Sequence, residues 1–213
     1  MKTDELIAML ATIAAPVEAG ALGRRYVLAL GAGLAFAVLL MAVVLGVRPD
    51  LPEATRLPMF WVKVALPLSL LAIAIAGAVR LARPGVAIGR VPAALPIPVA
   101  AIWTLAATAL VAADPGQRIA MLLGDSWSVC PLNIAMLSMP VFAGVFWAMR
   151  GLAPTRLVLA GAFSGLLAGS AGALVYCLHC PEMAAPFIGT WYLLGMAIPA
   201  VAGALLGPRL LRW

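Results

Sequence analysis

Charge is what this sequence has least of. Only 10% of its 213 residues are Asp, Glu, Lys or Arg, against about a quarter in a soluble domain. With 65% hydrophobic residues, no soluble fold could hide the apolar surface, so lipid must solvate most of the chain. Acids and arginine are also missing from the middle of the long apolar runs, where proton and ion pathways place ionisable groups. There is one histidine, His179, so Asp114, Asp125 and Glu182 have no other imidazole with which to build a nucleophile–base–acid set. No strand-like segment precedes a phosphate-binding glycine loop, and no stretch shows the alternating pattern of about ten residues that marks a barrel strand. Basic residues do not form a stripe interleaved with aromatics, which excludes a nucleic-acid surface. An enzyme is not expected.

What is present is a series of continuous apolar runs: Tyr26–Val47, Met59–Val79, Pro92–Ala113, Leu132–Met149, Leu157–Leu178 and Ala184–Leu206. Each is near the ~20 residues a helix needs to cross a bilayer, and in lipid the backbone must satisfy itself within the segment. The expected fold is an all-α membrane protein, a bundle of six transmembrane helices occupying residues 24–213, preceded by a short amphipathic segment at 1–23. Lys63, near one end of the second run, is expected to snorkel to the headgroups. Pro67, Pro140 and Pro199 are expected to bend their helices.

The formal charge is +6, and its distribution predicts orientation. With the N-terminus cytoplasmic, the inner links hold Lys2, Arg24, Arg25, Arg80, Arg83, Arg90, Arg150, Arg156, Arg209 and Arg212, and the outer ones hold Arg48, Arg56, Lys63 and Arg118. Both termini therefore read as cytoplasmic, in a bacterial inner membrane. Tyr26–Val47 is too long and too far from Met1 for a signal peptide, so the first helix is expected to be retained.

Thr3–Ala15 reads as a surface helix. Thr3 can cap it, Asp4 and Glu5 suit its first turn, and Pro16 disfavours continuation at Ala15. Leu6, Met9, Leu10, Ile13 and Val17 recur at three- and four-residue steps and form one apolar stripe. A helix lying on an anionic leaflet usually carries Lys and Arg on its polar face, whereas this one carries Asp4 and Glu5. That shifts the reading toward a protein partner that takes the stripe in a groove.

All three cysteines, Cys130, Cys177 and Cys180, fall at outer ends of the runs. Outside a bacterial inner membrane a disulfide can persist. Cys130 and Cys180, both beside prolines in polar links, are the first choice for a pair, although spacing alone leaves the three pairings open. Cys177 also reads as a small apolar residue continuing the row Gly161, Gly165, Gly169 and Ala173, along which another helix could approach and slide. A metal site from Cys130, His179 and Cys180, with or without Cys177, is the alternative, since thiolate and imidazole suit soft metals.

These features together resemble the negative regulator of sigma F (NrsF) family of bacterial membrane anti-sigma factors. The resemblance runs through Thr3-Asp4-Glu5-Leu6-Ile7, Leu10 and Pro16-Val17, the six runs, Cys130 after the third, and His179-Cys180-Pro181-Glu182 after the fifth. It implies that Asp4, Glu5, Leu6, Ile7, Leu10, Ile13 and Val17 contact an extracytoplasmic-function sigma factor. It further implies that Cys130 and Cys180, with Cys177 less general, sense a heavy-metal or oxidative stress and release that factor. Besides the sigma factor, the expected surroundings are membrane lipid, with no direct nucleic-acid contact and no cofactor beyond transient heavy-metal binding. The rival expectations are a small-molecule or metal transporter and a membrane thiol oxidoreductase.

Overall fold

The computed structural model describes Thr3, Glu5, Met9 and residues 21–152 and 154–212. Among the described residues six helices are long and apolar enough to cross a membrane: α1 (Gly23–Leu45), α2 (Pro58–Leu81), α3 (Val91–Ala112), α4 (Cys130–Arg150), α5 (Leu157–Tyr176) and α6 (Ala185–Leu210). Among the described residues there is no strand. Observed ends differ from the apolar runs by a few residues, most at α6, which continues from Leu206 to Leu210. Thr3, Glu5 and Met9 are helical and exposed. Asp4, Leu6, Ile7, Leu10, Ile13 and Val17 of the expected partner segment lie outside the described residues.

Short links join successive helices, so the bundle has two ends. Cys130, Cys177 and Cys180 gather at one, called here the thiol end, together with the end of α1 and the starts of α2 and α6. The opposite end carries the start of α1 against the close of α4. There Arg25 donates to the Trp147 carbonyl at 3.0 Å, and its guanidinium stacks 4.1 Å from the centre of the Trp147 ring.

α5 is the axis of the bundle and packs against α2, α4 and α6. Its row of small residues meets the backbone of α6. A Cβ added at Gly161 would lie 2.0 Å from the Gly203 carbonyl oxygen, and one at Gly165 would lie 2.0 Å from that of Pro199. In lipid, where no hydrophobic drive separates helix from tail, such close approach is what holds helices together. Along this row Gly203 and Gly207 of α6 interlock with Gly161 and Gly165 of α5. α3, by contrast, lies loosely beside α2 across an apolar groove of about 630 Å³ whose walls include Leu66, Ser69, Ile73, Ile97, Pro98 and Ile102.

Candidate functional site

The thiol end is built around the turn that follows α5. Helix hydrogen bonding tightens there: the Tyr176 carbonyl accepts from both His179 N and Cys180 N at 3.0 Å. Pro181 then prevents continuation, since it has no N–H to donate. The turn is clasped from two directions. Arg48, just beyond α1, donates its backbone N–H to the Leu178 carbonyl at 3.1 Å and its Nη1 to the Cys180 carbonyl at 3.1 Å. Lys63, on α2, donates from Nζ to the carbonyls of Cys180 at 2.7 Å and Glu182 at 2.9 Å. His179 Nδ1 lies 2.8 Å from the Gly46 carbonyl, where α1 ends on a residue with φ of +79°.

Lys63 corrects the expectation drawn from its position. It does not snorkel; its exposure is 0%. The carbonyls of the turn replace the water it would otherwise seek, and the Tyr192 ring stands 5.2 Å from Nζ. Cys130 and Cys180 likewise do not sit in solvated links. Both are fully buried, and Cys177 is 1% exposed, because the connection between α3 and α4 folds over them. Glu182 fastens that cover: its carboxylate accepts the Asp125 backbone N–H at 2.8 Å and the Ser126 hydroxyl at 3.4 Å. Gly124 has φ of +57°, and an added Cβ there would meet the Glu182 carboxylate, so the close approach depends on glycine. Trp191 completes the cover by donating Nε1 to the Leu122 carbonyl at 2.8 Å while packing on Trp127.

All three cysteines are free thiols, and the structure brings them together. The side chains of Cys130 and Cys180 are neighbours that affect each other's ionisation, and the Tyr192 hydroxyl is near both Cys177 and Cys180. The Cys180 thiol is held well below the ordinary thiol range. Its hydrogen bond with Cys130 is the largest cause; Lys63, Tyr192 and the Glu182 backbone also favour its anion against the cost of burial. Cys177 is different. Burial pushes it up to about 12, outweighing the pull of Lys63, and its sulfur faces the Lys63 carbonyl at 3.9 Å. Among the described residues no group of three or more His, Cys, Asp or Glu side chains is arranged to hold a metal ion. His179 is turned to the Gly46 carbonyl, and its ring packs against Tyr176.

Arg48, Lys63, Glu182 and Tyr192 were not singled out as site residues from the sequence. For Lys63 a signal existed, since it is the one charged residue set within an apolar run. Glu182 stood in the outer motif that carries the resemblance, but nothing in the spacing marks Arg48 or Tyr192, and the roles of all three arise from contacts between distant segments.

The family model "Negative regulator of sigma F" matches residues 10–213. The chain is 55% identical to the probable anti-sigma-F factor NrsF of Azospira oryzae over 213 residues. It is 40% identical to the anti-sigma-F factor NrsF of Caulobacter vibrioides over 220 aligned positions. Both alignments cover 100% of this chain and 100% of the relative. No solved structure matches it. With its six apolar helices and a match that runs to its last residue, the chain belongs to the family of negative regulators of sigma F.

Proposed function

We propose that this chain is a membrane-embedded anti-sigma factor. It holds an extracytoplasmic-function sigma factor at the cytoplasmic face and releases it when a thiol-reactive stress, metal or oxidative, acts on the other side. Residues 1–23 form the partner-binding segment, with Asp4, Glu5, Leu6, Ile7, Leu10, Ile13 and Val17 as its contacts, and Cys130 and Cys180 are the sensing pair. The observation that carries this reading is the full-length likeness to two anti-sigma-F factors.

Charge supports the orientation. Arg24, Arg25, Arg80, Arg83, Arg90, Arg150, Arg156, Arg209 and Arg212 lie at the end away from the thiols, against only Arg48, Arg56, Lys63 and Arg118 at or near the thiol end. That bias supports a cytoplasmic location for the arginine-rich end. α1 supports a link between the two ends. It begins where the N-terminal segment stops, and it ends at Gly46 and Arg48, which bond to the turn carrying Cys180.

The test is co-purification from solubilised membranes. The full chain should retain a sigma factor, and a chain lacking residues 3–17 should lose it. Retention by the deleted chain would overturn the assignment of the segment. Absence of any sigma factor, together with measurable flux in vesicles, would favour a transporter.

A further inference from the structure

A buried ammonium needs an anion or strong acceptors, because its desolvation costs several kcal/mol. Lys63 is such a group, and its bonded acceptors, the Cys180 and Glu182 carbonyls, are neutral. The nearby carboxylates are engaged elsewhere. Asp50 is bound by Arg48 through both oxygens, at 2.8 and 2.7 Å, and the Glu182 carboxylate is turned toward Asp125 and Ser126. The groups left around Lys63 that can become anionic are sulfurs and tyrosines, and the sulfurs ionise more readily. Of the sulfurs, Cys180 has the most potential donors around it: the Cys130 thiol, the Tyr192 hydroxyl and the backbone at Glu182, with the charge of Lys63 beside them. Among the described residues the buried Tyr192 hydroxyl has no hydrogen-bond partner of good geometry, so it is a donor waiting for an acceptor that an anionic sulfur would supply.

We infer that Lys63 is a positioning residue that makes Cys180, rather than Cys130 or Cys177, the nucleophilic sulfur of the cluster, with Tyr192 as its second buried donor. This deepens the sensing role proposed above and rests on it for its biological meaning, but the chemical claim can be tested without a sigma factor. Arg48 provides the internal comparison. It grips the same Cys180 carbonyl, yet its charge is already matched by Asp50.

The experiment is alkylation of the purified full chain in detergent with iodoacetamide, in which a sulfur–carbon bond forms and iodide leaves. Labelling at each cysteine is resolved by mass spectrometry. The readout is the ratio of Cys180 to Cys130 labelling, since a variant that only loosens the turn exposes both sulfurs together. The unaltered chain should favour Cys180. Lys63→Met should lower the ratio about tenfold, because the thiolate is the reacting form. Lys63→Arg, which keeps the charge, should hold the ratio within about threefold. Arg48→Ala should raise both rates and preserve the ratio. Tyr192→Phe should lower it by about threefold, the scale of one modest hydrogen bond, and this variant carries the test if Lys63→Met does not fold. An unchanged ratio in Lys63→Met, or in Tyr192→Phe where Lys63→Met does not fold, or an equal loss in Arg48→Ala, would overturn the inference. Retention of the sigma factor by the deleted chain, or its absence from the full chain, would leave these ratios untouched, so the two failures are distinguishable.

Discussion

α3 and α5 have almost the same mean hydropathy, 1.9 and 1.8, yet 11% of the apolar stretch of α3 is buried against 72% of that of α5. In water the greasier helix would go inside. In lipid both are equally at home, so apolarity does not sort them. What sorts them is side-chain size and the order it permits. α5 carries Gly161, Gly165, Gly169 and Gly172, each of which admits another helix's backbone. α3 carries none of these and exposes Ile97, Trp103, Leu105 and Val111.

One substitution, glycine to alanine, can test that contrast at three places. The largest effect is expected at Gly165, where the new methyl would lie 2.0 Å from the carbonyl oxygen of Pro199. The obstacle is backbone, so α5 and α6 must separate, at a cost of about 3 kcal/mol or more. Gly77→Ala on α2 would meet the Phe163 ring at 2.1 Å. A ring can turn where a backbone cannot, so a loss of about 1–2 kcal/mol is expected. Gly189→Ala in α6 faces α3, where the closest atom, from Ile102, is 3.6 Å away. It should be neutral or stabilise by up to about 1 kcal/mol through reduced backbone entropy. Unfolding in mixed micelles measures all three. Equal losses at Gly165 and Gly189 would break the distinction between a locked seam and a loose flank.

The smallest effect is expected at the exposed edge of the thiol end. The Asp50 carboxyl is held below the ordinary carboxylate range by its hydrogen bond to Arg48. A depressed value stabilises the fold above the unfolded value of about 4, and that stabilisation fades as pH falls through the folded value. Solvent screens this exposed group, so thermal unfolding should show only a shallow acid-side loss. Asp50→Asn should remove that dependence; a steep loss persisting in the variant would point to another carboxyl.

The thiol end shows how far a sequence can be read. Cys130, Cys177, His179 and Cys180 could be placed at one end of the bundle because run order and alternation fix which links share a side. Their burial could not be read. It depends on the connection between α3 and α4 closing over them through Glu182 and Trp191, partners more than fifty positions away. Lys63 was visible as an anomaly, but the expectation that it reaches the headgroups failed because only the folded turn reveals two carbonyls within its reach.

By itself the sequence determined the solvent, the number of crossings and which links share an end, because continuous apolar length and scattered charge act residue by residue. Tertiary structure alone decided which helix became the axis, that the glycine row meets the backbone of α6, and that a lysine lies buried among three thiols. Those outcomes depend on which surfaces meet, and in lipid that is settled by close fit rather than by apolarity.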